Sequence, residues 1–103
     1  MKTSLENNSL IITLPERVDS NNANEIGDEL DSILANNNAE EVVLDASILK
    51  YISSAGLRIV LKCKKRSNDL RIINVSSEVY EIFEMTGFTE IIQVEKAYRV
   101  MSV

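Results

Sequence analysis

Apolar residues recur along this chain in two rhythms. Leu10, Ile12 and Leu14 alternate with Ile11 and Thr13, a period-two pattern that predicts a strand running to Pro15. Asn7-Asn8 in front of it predicts a hairpin turn from a short strand over residues 3–6. Ala23, Ile26, Leu30, Ile33 and Leu34 then follow the helical period, with Glu25, Asp28 and Glu29 on the other faces. That amphipathic helix is predicted to end at Asn36-Asn37-Asn38. Residues 41–46 read as a buried strand, 54–66 as a second helix and 70–75 as a third long strand, with Asn68-Asp69 as the turn before it. Ser77 is expected to cap a short helix that points Val79, Ile82 and Phe83 inward, and Gly87 to end it. A last strand is expected over 90–94, and a terminal helical turn or two over 96–101.

Strands therefore alternate with helices after an opening hairpin. The pattern implies an α/β fold: a mixed central sheet of four or five strands with helices packed against it. The chain has 103 residues, enough for one domain spanning 1–103. No internal repeat or Pro- or Ser-rich linker divides it. Runs of two or three asparagines at Asn7-Asn8, Asn21-Asn22 and Asn36–Asn38 take over the turn positions, where tolerance of positive φ is useful.

Charge and composition narrow the function classes. Eleven basic and 16 acidic residues give a formal net charge of −5, and nucleic-acid binders usually carry the opposite balance. No segment approaches the ~18 apolar residues of a membrane span, and the N-terminus lacks the apolar run of a signal peptide. A cytoplasmic protein is expected. The lone Cys63 leaves no internal disulfide. It reads as a buried small apolar residue, although Lys62 and Lys64 beside it would lower the pKa of an exposed thiol.

Catalytic groups are sparse. The chain has no histidine, so the commonest general base is missing and neither a serine–histidine nor a cysteine–histidine pair can form. No G-x-x-x-x-G-K-[ST] loop or G-x-G-x-x-G turn occurs. Metal ligands at convincing spacing are absent, and no cofactor is implied. Glu40-Glu41 and Glu25/Asp28/Glu29 read as solvated faces.

The informative stretch is Tyr51-Ile52-Ser53-Ser54-Ala55-Gly56-Leu57-Arg58. It lies beyond the carboxyl end of the 41–46 strand, where functional groups of open α/β sheets gather. Either serine can cap the helix that follows. A phosphate is equally at home there, because it brings about −1.5 to −2 charges to the positive end of the helix dipole. Arg58, Lys62 and Lys65 form a basic stripe on that helix, which reads either as a solvated face or as a docking surface for an acidic partner.

At these residues the chain resembles the STAS domains of bacterial anti-sigma factor antagonists, over nearly its whole length. Val18-Asp19-Ser20-Asn21-Asn22-Ala23 is similar to the family's "L-D…T-A" approach to the first helix. Val42–Asp45 followed by residues 51–57 resembles its phosphorylation loop. Glu84-Met85-Thr86-Gly87-Phe88 resembles its late "S/T-G-L/F" signature. The resemblance implies partner switching. The unmodified antagonist binds an anti-sigma factor that is also a serine kinase of histidine-kinase-like ATPase fold, and a sigma factor is freed. Phosphorylation of the loop ends the binding, and a PP2C-type phosphatase restores it. The family's Asp-Ser-[Ser/Thr]-Gly motif falls on Ser53-Ser54-Ala55-Gly56, so Ser54 is the implied acceptor, with Ser53 as a second candidate. The implied contact set is Asp19, Ser20, Asn22, Ser53, Ser54, Gly56, Leu57, Arg58 and Lys62. A constitutive STAS subunit of a transporter-associated or other signalling complex, with Ser54 serving only as a cap, is the alternative. Nothing in the sequence specifies an oligomeric state.

Overall fold

The computed structural model describes residues 1–67 and 69–97. Strands β1 (Thr3–Glu6) and β2 (Ser9–Thr13) form the opening hairpin. Asn7 and Asn8 sit at φ 49° and 69°, the left-handed pair that a two-residue hairpin turn of this hand requires. A two-residue strand β3 (Arg17–Val18) leads to helix α1 (Ala23–Ala35). Strand β4 (Glu41–Asp45), a second two-residue strand β5 (Tyr51–Ile52) and helix α2 (Ser54–Arg66) follow. Strand β6 (Leu70–Val75), helix α3 (Ser77–Met85), a 3₁₀ turn (Phe88–Glu90) and strand β7 (Gln93–Lys96) complete the described chain.

The main sheet has five strands in the order β1-β2-β4-β6-β7. Only β1 runs antiparallel to its neighbour; the pairs β2–β4, β4–β6 and β6–β7 are parallel. Register explains the two faces. Leu10 pairs with Val42 and Ile12 with Leu44, while Val42 pairs with Leu70 and Leu44 with Ile72. These residues form one apolar layer, joined by Ile26 and Leu30 of α1, Leu57, Val60 and Cys63 of α2, and Val79 and Phe83 of α3. The alternate positions carry a polar ladder. Ser9 Oγ donates to Glu41 (2.8 Å), and Arg71 bridges Glu41 (2.9 Å) and Glu95 (3.2 Å) across β2, β4, β6 and β7.

Several expectations need correction. β3 and β5 pair in parallel as a separate small sheet, where the sequence suggested only loop. The last strand begins at Gln93, because Gly87 at φ 81° and the turn after it wind the chain once more before it extends. That turn seats Phe88 against Phe83, ring centroids 5.9 Å apart. Lys96 belongs to β7, not to a terminal helical turn, and residues 98–101 of that expectation lie outside the described ones. Asn68 of the expected turn does too. Ser76, not Ser77, caps α3, accepting from the Val79 N–H at 3.2 Å. Of the asparagines, only Asn7, Asn8 and Asn74 take positive φ among the described residues.

Candidate functional site

The candidate site is built where the small β3–β5 sheet closes. Val18 pairs with Ile52, and the Ser53 N–H donates to the Val18 carbonyl at 2.9 Å. One step beyond that pair, β3 opens into the Asp19–Asn22 loop and β5 into the N-terminus of α2. The fold therefore brings two sequence-distant segments side by side, each aimed outward from the carboxyl end of its strand.

The two serines have different duties. Ser53 is extended at φ −95°, ψ 178°, and its hydroxyl accepts from the Gly56 N–H at 3.4 Å. Its carbonyl accepts the Leu57 N–H at 2.9 Å. This is N-cap geometry, and it satisfies part of the open first turn of α2. Ser54 is the first helical residue and is exposed. Its hydroxyl has no hydrogen bond within the described residues. The first turn of α2 holds no acidic residue, whereas Lys64, Lys65 and Arg66 occupy the last turn, matching the dipole. Arg58 and Lys62 lie one and two turns below Ser54 and are exposed, as is Lys65. None of the three basic groups is ion-paired among the described residues, whereas Arg66 is held by Asp31 of α1.

Gly56 and Leu57 lie beneath this surface, not on it. Gly56 is buried, and a Cβ there would meet the Val18 carbonyl at 2.6 Å and Ile52 Cγ1 at 2.7 Å. Leu57 belongs to the core. Direct contact from these two is replaced by a seating role: they let α2 press against the β3–β5 pair.

The Asp19 loop is internally cross-braced. Asp19 accepts from the Asn21 N–H (3.0 Å) and from Arg17 Nε (3.3 Å), while its own N–H donates to Asn22 Oδ1 (2.9 Å). Asn22 Nδ2 donates to the Arg17 carbonyl at 2.8 Å. The Asn21 amide, followed by the Arg17 guanidinium, holds the Asp19 carboxyl below the usual carboxylate range. Asp19 and Asn22 thus shape the loop, and Ser20 is its exposed hydroxyl.

Three residues around the site escaped the sequence reading as surface features. Ile48 and Tyr51 are exposed by 53% and 41%, and Arg17 lies 4.7 Å from the Tyr51 ring centroid. Ile48 and Tyr51 both add apolar surface next to the polar Asp19 loop and the head of α2. Tyr51 stood in the informative stretch itself; Ile48, on an irregular loop with no periodicity, carried no signal. Cys63 is buried, and burial pushes its thiol pKa up against the opposing pull of the Ser67 hydroxyl and the Arg66 charge. Among the described residues no cluster of His, Cys, Asp or Glu is placed to hold a metal, and no helix is long and apolar enough to cross a membrane.

Comparison with known proteins agrees with this architecture. Residues 1–100 match the STAS domain family. The chain is 38% identical over 89 residues to BtrV of Bordetella bronchiseptica, a protein named as an anti-sigma factor antagonist, with 82% of this chain and 76% of that one covered. An anti-sigma factor antagonist STAS domain protein from Planctomyces limnophilus superposes with a TM-score of 0.83 at 14% identity, covering 94% of this chain and 90% of that one. SpoIIAA, a Bacillus cell fate determinant, superposes in its phosphorylated form with a TM-score of 0.63 at 15% identity, covering 90% of each chain. The protein belongs to the STAS family, and within it to the anti-sigma factor antagonists.

Proposed function

We propose that this protein is a partner-switching antagonist whose switch is Ser54. In the unmodified state it binds an anti-sigma factor that doubles as a serine kinase, and a sigma factor is released. The kinase transfers a phosphoryl group to the Ser54 oxygen, the complex separates, and a PP2C-type phosphatase resets the cycle. The protein itself acts by binding, in the cytoplasm.

The single observation carrying this reading is the division of labour between the two serines. Ser53 is committed to the helix cap, while Ser54 presents an exposed hydroxyl, free among the described residues, at the head of a basic stripe that is unpaired among them. The family places aspartate where Ser53 stands. Both residue types are good N-caps, so the substitution keeps the helix start and removes a negative charge beside the acceptor. SpoIIAA, which shares this fold, is known in a phosphorylated form, and the reading extends that chemistry to Ser54. The contact surface is then Ser20, Ser53, Ser54, Arg58 and Lys62, braced by Asp19 and Asn22 and extended by Ile48 and Tyr51.

The test is co-purification from the native host with wild type, Ser54→Ala and Ser54→Asp. Wild type and Ser54→Ala should retain a serine kinase and Ser54→Asp should lose it. Equal retention of the same partners by all three would instead make this a constitutive subunit with Ser54 as a plain helix residue.

A further inference from the structure

We infer that Arg58 is the residue that holds the phosphoryl group on Ser54, so that modification also withdraws this arginine from the docking surface. The inference rests on the reading of Ser54 as the phosphoacceptor. Ser54 and Arg58 are both exposed residues of α2, four apart, and side chains at that spacing are neighbours on one helix face. The order is the favourable one, with the anion toward the N-terminus and the cation one turn below. A guanidinium matches phosphate oxygens in a two-pronged hydrogen-bonded geometry.

Among the described residues, the other charged side chains of this corner are already engaged or stand farther along the helix. Arg17 already donates to Asp19 and stacks on Tyr51. Lys50 lies 3.8 Å from Glu16. Asp19 is occupied by the amides and guanidinium of its own loop. Lys62 stands on the same stripe but two turns from Ser54, roughly 12 Å along the helix at 1.5 Å per residue. Arg58 has no ion-pair partner among the described residues, and no carboxylate lies in the first turn of α2 to compete for it. The phosphate therefore acts twice. It adds negative charge at the head of the stripe, and it ties down the first positive charge of the stripe that an acidic partner would use.

Phosphoserine installed at position 54 during synthesis, independent of any kinase, permits a direct test. The phosphorus-31 shift is followed against pH in the full-length protein with the native Arg58, and in Arg58→Ala, Arg58→Lys and Lys62→Ala. Arg58 should lower the second ionisation by about 0.3 unit, roughly twofold in the ionisation constant. Arg58→Ala should lose that shift, Arg58→Lys should recover part of it, and Lys62→Ala should titrate with the native sequence. The inference is overturned if Arg58→Ala titrates like the native sequence, or if Lys62→Ala moves the titration as far as Arg58→Ala does. Because the phosphate is placed chemically, a failure here leaves the phosphoacceptor reading standing. Failure of the co-purification test would, conversely, leave this measurement intact.

Discussion

A side-chain carbon on Gly56 would stand 2.6 Å from the carbonyl oxygen of Val18. The obstacle is backbone, and it is fixed by the Val18–Ile52 pairing and by the hydrogen bond it accepts from Ser53. Gly56→Ala must lift the head of α2 off the β3–β5 pair. A loss of about 1–3 kcal/mol is expected, as for other overpacked sites. Urea denaturation reads it directly, and an unchanged midpoint would show that the two segments are not in the contact described.

Ser53 and Ser54 should separate cleanly in the same assay. Ser53→Ala removes the N-cap and should cost ~1 kcal/mol. Ser54→Ala removes an exposed hydroxyl that has no partner among the described residues and should fall within about 0.5 kcal/mol of the parent. If Ser54→Ala proves the more damaging, the capping assignment is reversed.

Sequence periodicity exposed most of the scaffold, and its failures have physical causes. The long strands and helices bury regular faces: Leu10/Ile12, Val42/Leu44 and Ile26/Leu30 all point to the core that their spacing implies. β3 and β5 are two residues each, too short for any period to register, although they position the site. The late start of β7 follows from the turn after Gly87, which seats Phe88 against Phe83, a tertiary arrangement that no local window contains. Within the site, sequence placed both serines at the helix head but could not divide cap from free hydroxyl. That distinction is one of a single residue's backbone angles.

The polar ladder on the outer sheet face predicts an acid-sensitive component of stability. Glu41 accepts from Ser9 and then from Arg71, and both hold its carboxyl below the usual carboxylate range. A group with a lowered native pKa stabilises the fold above its unfolded pKa, and this contribution is lost as pH falls through the native value. Stability should therefore decline below the usual glutamate range. Glu41→Gln should be less stable than the parent near neutrality and should show a shallower acid limb. Parallel denaturation curves at pH 7 and pH 3 test this, and identical pH slopes would remove Glu41 from the account.

Cys63 is 3% exposed and its thiol pKa is raised by burial. A water-soluble aromatic disulfide should react with it slowly in the native protein and at full rate once urea unfolds the chain, because thiolate and access are both needed. Prompt labelling at neutral pH in native buffer would contradict the packing of α2.

The two-residue pairing of β3 with β5 decides what kind of epitope this corner can be. Each partner segment alone is short and would lose its shape in a free peptide. Paired backbone to backbone, they form one discontinuous surface. A binding protein that grips the Asp19 loop would stand directly beside the head of α2. Ser54 itself stands on the first turn of α2, next to a residue whose N–H is bonded to β3, and not on an open loop. Under the proposed switch, discrimination would come from placement: a phosphoryl group on Ser54 would add its charge at one defined point beside the Asp19 loop.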